Sequence, residues 1–137
     1  MSNKANQSTI FNVMLARVYG GTDHMFCNYS KALESEGYNV VNIIRHNAKV
    51  AKKVEHVGIR VINQYDFIAA LKIHMMYKKL KPKIIIAHGL RALKLIKMLK
   101  KDCKVVLVAH NYAIKYFREV DYIICLTRDL KRYAENL

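Results

Sequence analysis

Apolar and polar positions alternate along the chain with two periods, one typical of strands and the other of helices. The first apolar segment, Ile10 to Ala16, predicts a strand that ends before Tyr19-Gly20-Gly21. From Thr22 to Glu36 the apolar residues recur at helical spacing, and Gly37 stands where a helix-terminating glycine belongs. Val40 to Ile44 predicts a second strand. This strand–helix–strand opening implies a parallel sheet.

The rest of the chain continues the alternation. Short apolar runs predict further strands at Ile59 to Ile62, Ile84 to Ala87, Val105 to Ala109 and Tyr122 to Cys125. Helices are predicted over Phe67 to Leu80, Leu90 to Lys101 and Asp129 to Asn136. The first of these helices carries its larger apolar residues near one stripe: Ile68, Leu71, Met75 and Leu80. We therefore expect a doubly wound, Rossmann-like α/β sheet of about six strands, with helices on both faces and a strand order near 3-2-1-4-5-6.

The length of 137 residues suits one domain, which we place at residues 10–137 after a flexible N-terminus of residues 1–9. That polar N-terminus lacks the apolar stretch of a signal peptide, and no apolar run approaches the ~20 residues that span a bilayer. The cysteines Cys27, Cys103 and Cys125 are odd in number and widely spaced, which favours a reducing compartment. We expect a cytoplasmic protein, attached at most peripherally to the inner face of a membrane.

The formal net charge of +14 predicts attraction to anions: the phosphates of a small molecule, a lipid surface or nucleic acid. Basic residues concentrate between Lys72 and Lys104, where Asp102 is the one acid. On the helix predicted from Leu90, the residues expected to meet an anionic surface are Arg91, Lys94, Lys97 and Lys101. A solvated helix face remains the alternative. No aromatic-rich strand or recognition helix accompanies the lysines, so nucleic acid is not an expected partner.

Candidate chemistry falls at the ends of three predicted strands, where such sheets bind their ligands. The pairs are Gly20-Gly21, His88-Gly89 and His110-Asn111. The two glycines would let the backbone approach a phosphate and present amides at a helix N-terminus, and a tight turn without a ligand is the alternative. The imidazole of His110 should face the crevice, where it can donate to a hydroxyl or phosphate or act as a general base. A structural histidine bonded to neighbouring backbone is the alternative there.

Several enzyme classes lack their motifs in this chain. The glycine pair is not G-x-G-x-x-G, and no acidic residue follows the second strand to hold a ribose, which argues against nicotinamide and flavin enzymes. H-E-x-x-H, the P-loop and G-x-S-x-G are absent from the sequence as well. We expect neither a metal nor a cofactor.

Five short motifs carry a family resemblance when they are taken in order. They are Gly20-Gly21-Thr22-Asp23, the stretch Ala32 to Val40 (ALESEGYNV), Lys81 to Gly89 (KPKIIIAHG), Val106 to Asn111 (VLVAHN) and Asp121 to Thr127 (DYIICLT). Their order and spacing resemble the N-terminal domain of family-4 glycosyltransferases of the GT-B fold. The resemblance covers nearly all of residues 10–137. The chain departs from the family pattern at Asp23, where glutamate is usual, and at Lys83, where aspartate is usual.

The resemblance implies the acceptor-binding half of a glycosyltransferase. Such an enzyme moves a sugar from a nucleotide-sugar to a cell-envelope glycan, such as lipopolysaccharide, or to a lipid-linked acceptor. By this resemblance Gly20, Gly21 and Thr22 would receive the donor phosphates, and His110 would be the catalytic residue beside the donor sugar. The residues implied to line the acceptor side of the cleft are His88, Gly89, Asn111 and Thr127. The nucleotide-sugar is a substrate, so this function adds no cofactor.

The family's nucleotide-sugar domain has no counterpart in these motifs. We therefore expect a C-terminal nucleotide-sugar-binding domain as a partner, in cis or in trans, and a chain that is inactive without it. The alternative hypothesis is a non-catalytic Rossmann-like module that binds an anionic partner or a membrane surface through its lysine-rich face.

Overall fold

Strands and helices alternate along most of the described part of the chain. The computed structural model describes residues 7–15, 21–46, 54–63, 66–99, 102–109, 120–125 and 127–136. The strands are β1 (Thr9–Met14), β2 (Asn39–Arg45), β3 (Val57–Ile59), β4 (Ile84–His88), β5 (Lys104–Ala109) and β6 (Tyr122–Cys125). The helices are α1 (Gly21–Ser35), α2 (Phe67–Leu80), α3 (Leu90–Lys97) and α4 (Arg128–Glu135).

All six strands form one parallel sheet in the order β3-β2-β1-β4-β5-β6. The predicted doubly wound, Rossmann-like α/β fold and its strand order are therefore confirmed. The chain runs outward from β1 to β3, and then returns to the other side of β1 through α2. The carboxyl ends of β1 and β4 consequently lie side by side where the direction of winding reverses.

The core is divided between the two faces of the sheet. On one face, side chains of α2, α3 and α4 pack against alternate strand residues such as Phe11, Val13 and Leu107. On the other face, Phe26 and Cys27 of α1 pack against strand residues from β1 and β2. Successive strand residues point to opposite faces, so each buried strand must be apolar on both sides, as the uninterrupted run of β4 shows.

Two predicted element boundaries differ from the structure. The short strand predicted at Ile59 to Ile62 lies earlier, because β3 pairs with β2 in the register Ile43↔Val57 and Ile44↔Gly58. Gly58, which directly precedes the predicted segment, is thus part of the strand. The helix predicted to reach Lys101 ends at Lys97, where Met98 N–H donates to the carbonyls of the last turn. Residues 100 and 101 lie outside the described part of the chain.

The stripe of large apolar residues on α2 is not the face that this helix buries. Its buried residues are Ala69, Ala70 and Ile73, and Met76 and Tyr77 are half-buried against the same core. Ile68, Leu71, Met75 and Leu80 are exposed instead. Alanines on the inner face let the helix axis lie close to the sheet and to α3.

The side chain of Asp66 caps the start of α2. Its Oδ1 accepts hydrogen bonds from the backbone N–H groups of Ile68 and Ala69, both at 3.1 Å, and its Oδ2 accepts from Ile62 N–H at 3.0 Å. These bonds satisfy two otherwise orphaned donors of the first turn and tie the preceding loop to the helix. The hydrogen bonds from Ile62 and Ala69 also hold the pKa of Asp66 below its ordinary value.

Replacing Asp66 by alanine should lower the free energy of unfolding by about 1 kcal/mol at neutral pH, the usual cost of a lost N-cap. Because the folded-state pKa of Asp66 is lowered, its stabilising contribution is present above the unfolded value of 3.8 and is lost as the pH falls through the folded pKa. Asp66→Asn is the matched control, since asparagine can cap the helix without titrating. Urea denaturation at neutral and acidic pH should show a weaker acid dependence for Asp66→Asn. If the free energy of unfolding depended on pH identically in Asp66→Asn and the wild type, this assignment would be contradicted.

Candidate ligand site at the carboxyl edge of the sheet

The predicted site residues follow strands that are neighbours in the sheet. Met14 of β1 pairs with His88 of β4, and His88 pairs in turn with Val108 of β5. Since all these strands run in parallel, the segments that follow them leave the sheet at one edge. Helices α1 and α3 begin at this edge, at Gly21 and Leu90. Two helix N-termini directed to one edge favour the binding of an anion there.

The structure describes most of the predicted site residues. Gly21 and Thr22 form the beginning of α1, so the glycine turn predicted after β1 leads directly into that helix. His88 is the last residue of β4, Gly89 precedes α3, and Thr127 precedes α4. Four predicted site residues lie outside the described residues: Gly20, Lys101, His110 and Asn111. His110 follows directly after Ala109, the last residue of β5.

Gly89 turns the chain from β4 into α3 with a backbone conformation that favours glycine. Its φ of 89° and ψ of 171° lie in a region that residues with a Cβ atom rarely occupy. Its carbonyl accepts the first helical hydrogen bond, from Leu93 N–H, while no side chain caps the N-terminus of α3. Because no described side chain caps this end of the helix, the first backbone N–H groups of α3 are available to a ligand.

Gly89→Ala should lower the free energy of unfolding by about 1–3 kcal/mol through backbone strain. A Cβ atom at this position would meet no atom within 4 Å, so the cost does not come from a side-chain clash. Gly58→Ala is a matched control, because Gly58 lies in β3 without a positive φ and its Cβ would make only ordinary contacts, the nearest at 3.8 Å. Thermal unfolding of both variants tests the assignment. A loss as small for Gly89→Ala as for Gly58→Ala would contradict it.

His88 is buried rather than open at the edge of the sheet. Its side chain is 2% exposed, and its ring makes edge-to-face contacts with Phe26 and Tyr29 of α1, both at a centroid distance of 5.4 Å. Its Nε2 lies 2.7 Å from Oδ1 of Asn12. The structure thus places the imidazole between the sheet and α1, and its role as a cleft residue stays a prediction.

A buried network of polar side chains extends from His88 across the sheet. Nδ2 of Asn12 donates to Phe26 O at 3.2 Å and to Oδ1 of Asn42 at 3.1 Å. Nδ2 of Asn42 donates to the Ser30 hydroxyl at 2.9 Å and to Glu55 O at 3.0 Å. Asn12, Asn42 and Ser30 are all at most 2% exposed.

The network determines which nitrogen of His88 carries a hydrogen. Backbone carbonyls only accept, so Phe26 O and Glu55 O fix both amide groups with Nδ2 toward the carbonyl. Oδ1 of Asn12 therefore faces His88, and Nε2 must be the donor. This network was not predicted from the sequence. Its signal was an asparagine inside each of two apolar strand segments, and the register pairs these two residues directly.

The basic residues of α3 are less open to solvent than their helical spacing suggests. Arg91, Lys94 and Lys97 are all half-buried, because α3 packs beside α2 as well as on the sheet. One terminal nitrogen of Arg91 is buried without a hydrogen-bond partner among the described residues. Arg91 is the second residue of α3, so its guanidinium adds positive charge near the edge where α1 and α3 begin.

Thr127 has a structural role at the start of α4. Its hydroxyl oxygen accepts a hydrogen bond from Leu130 N–H at 3.1 Å and caps α4. The side chain is exposed just beyond the end of β6, at the same edge of the sheet as the other predicted residues. Its part in lining an acceptor cleft stays a prediction.

The described residues also line an open cavity of about 440 Å³ at the opposite edge of the sheet. It lies at the amino ends of the strands and is lined in part by Glu34, Asn39 and His56. Parallel sheets of this type bind ligands at the carboxyl edge, where helix N-termini converge. We therefore favour the carboxyl edge as the ligand site.

Among the described residues, no group of three or more His, Cys, Asp or Glu side chains could hold a metal ion. No helix in the described ranges is long and apolar enough to cross a bilayer.

Comparison with solved structures finds the same fold in a glycosyltransferase from Rickettsia africae ESF-5, at 18% sequence identity and a TM-score of 0.72. The superposition covers 93% of this chain. The chain has the fold of a part of that glycosyltransferase. No family model matches the sequence, and no curated protein matches it either.

The region in common is a minor part of the Rickettsia protein, since this chain covers 39% of it. The domain described above therefore corresponds to less than half of that protein's length. Nearly all of this chain takes part in the match.

Proposed function

We propose that this domain is the acceptor-side half of a family-4, GT-B glycosyltransferase. It would act in the transfer of a sugar from a nucleotide-sugar to a cell-envelope glycan or a lipid-linked acceptor. The observation that carries the proposal is the match of 93% of the chain to a glycosyltransferase that shares its six-stranded parallel fold. The ordered motifs in the sequence support the same proposal independently of that match.

The distribution of helix N-termini and positive charge supports the proposed place of the donor phosphates. Helices α1 and α3 both begin at the carboxyl edge, on either side of the reversal between β1 and β4. The partial positive charge of a helix N-terminus, together with backbone N–H groups, favours a phosphate. In this proposal Gly20, Gly21 and Thr22 receive the donor phosphates, and His110 acts beside the sugar.

The opposite wall of the cleft would come from a nucleotide-sugar-binding domain, supplied in cis or in trans. The support for this step is that the Rickettsia protein is more than twice as long as the part covered by this chain. A sugar donor held between two domains is shielded from water, which favours transfer to the acceptor over hydrolysis. The domain described here is therefore proposed to have no transferase activity without that second half.

Complementation tests the proposal. The chain would be mixed with, or fused to, a candidate nucleotide-sugar-binding half, and saturation-transfer NMR would be recorded with a panel of nucleotide-sugars and lipid-linked acceptors. We expect acceptor signals with the chain by itself, and donor binding and sugar transfer when both halves are present. Absence of any acceptor signal, together with no transfer by the combined halves, would reject the proposal. Steeply salt-dependent binding of anions with no response to sugars would favour the non-catalytic module instead.

A further inference from the structure

The outward face of α2 carries large apolar side chains that no described element covers. Phe67, Ile68, Leu71 and Met75 are each more than half exposed, and Phe67 reaches 73%. Phe67 and Ile68 lie four and three residues before Leu71, and Met75 lies four residues after it. The four side chains therefore form a continuous row on successive turns, which we call the apolar ridge. Single exposed apolar residues are ordinary on protein surfaces, but a contiguous row of them marks a binding surface.

Exposed lysines lie beside the apolar ridge and beyond its end. Helical geometry places Lys72 and Lys79 along one side of the ridge and Lys78 in line with it, about one turn after Met75. No aspartate or glutamate occurs within α2. An apolar row with lysines beside it and at its end is typical of helices that lie in the interface of an anionic bilayer.

We propose that α2 docks this protein on the surface of an anionic lipid bilayer. The apolar ridge enters the boundary between headgroups and acyl chains, and the flanking lysines extend their ammonium groups to the lipid phosphates. The inner face of α2 keeps its packing on the sheet through Ala69, Ala70 and Ile73, so docking needs no rearrangement of the core. The proposal does not depend on sugar transfer.

The charge of α2 distinguishes a bilayer from a second copy of the chain. In a symmetric dimer through α2 the same surface would face itself. The lysines on one helix would then approach those on the other, and α2 has no carboxylate to neutralise them. A bilayer with anionic headgroups supplies both the apolar layer and the negative charge that this surface lacks.

Docking through α2 would also bring the candidate ligand site close to the membrane. Because α2 follows β3 in a parallel sheet, it begins at the carboxyl edge, where α1 and α3 begin as well. Phe67 and Ile68 therefore lie at the end of the helix nearer to that edge. If the proposed transferase function holds, this position suits an acceptor that is anchored in the lipid.

Vesicle sedimentation tests the proposal with the complete chain. Sucrose-loaded vesicles of phosphatidylcholine, with or without about 30% phosphatidylglycerol, are mixed with the protein at about 100 mM salt and pelleted. The wild type should bind the anionic vesicles well above the neutral ones, and less as salt is raised. These vesicles hold no sugar donor or acceptor, so the outcome is independent of the proposed transfer reaction.

Matched substitutions assign the binding to α2. Met75→Ser should reduce partitioning to anionic vesicles about tenfold, because it removes a side chain from the bilayer interface. Met98→Ser, the same substitution at an exposed position after α3, should change partitioning by less than about twofold. Lys79→Gln should reduce partitioning about fivefold, and Lys31→Gln on α1 should have a smaller effect. Circular dichroism verifies that each variant is folded.

Three results would overturn the assignment. The first is wild-type binding that does not exceed binding to neutral vesicles. The second is an equal loss for Met75→Ser and Met98→Ser, which would place the contact elsewhere. The third is a dimer in sedimentation velocity that Met75→Ser dissociates, which would make a second copy the occupant of the apolar ridge.

Discussion

Asn12→Ala is expected to unfold with a free energy of unfolding about 3 kcal/mol lower than the wild type, because it removes the central member of the buried network. Asn12 is fully buried and bonds to Phe26 O, Asn42 Oδ1 and His88 Nε2. Alanine withdraws the partner that the wild type provides to each of these groups. Water cannot easily replace it, since the site lies between the sheet and α1.

The same substitution at a second asparagine provides the control. Asn39→Ala removes a single, partly buried hydrogen bond to the Thr9 hydroxyl and should cost about 1 kcal/mol or less. Asn12→Asp separates polarity from volume, because aspartate keeps the shape but cannot donate to Phe26 O or Asn42 Oδ1. Urea denaturation should rank Asn12→Ala and Asn12→Asp well below Asn39→Ala. Equal stabilities for Asn12→Ala and Asn39→Ala would show that the network contributes no more to stability than the single hydrogen bond between Asn39 and Thr9.

Under the proposed transferase function, His110→Ala is expected to lower kcat/KM for sugar transfer about hundredfold when both halves are present, the lower end of the usual contribution of a general acid–base group. The physical reason is position: His110 follows Ala109 at the carboxyl end of β5, beside the strand that ends with His88. In the proposed function, the ligand binds where α1 and α3 begin, at the same edge of the sheet. The measurement is the initial rate with this chain and a nucleotide-sugar-binding half together.

The control for His110 is another histidine of the same chain. His56 is exposed in the segment before β3 and bonds locally to Val54 O at 2.9 Å. His56→Ala should leave kcat/KM within about twofold, since it lies toward the amino edge of the sheet. Unchanged transfer by a folded His110→Ala variant would remove His110 from the catalytic machinery while leaving the fold assignment intact.

Much of the fold was predictable because local signals agreed with each other. The bounds of α2 match the prediction at both ends: Asp66 caps the first turn, and Pro82, shortly after the last, cannot continue a helix. The bounds of β6 also match. The strand order followed from the alternation of strands and helices, since connections between parallel strands obey a fixed handedness.

The orientation of α2 was not predictable from its own residues. The helix has apolar side chains on both sides, so periodicity marks two possible inner faces. The side with Ala69, Ala70 and Ile73 is buried because small residues allow close approach to the sheet, and α3 occupies the neighbouring space. The larger residues are consequently left outside. Similarly, β3 begins at Val57 only because its pairing with β2 requires that register.

The order of strands and helices, the parallel sheet, and the edge of the sheet where Gly21, His88 and Gly89 lie could be predicted from the sequence, because these depend on periodicity, turn residues and handedness. Which face of α2 is exposed, and the enclosure of His88 by Phe26 and Tyr29, became evident only from the folded chain. The tertiary structure also joined Asn12 to Asn42, two residues far apart in the chain. Such properties depend on register and close packing between distant segments, which no local pattern encodes.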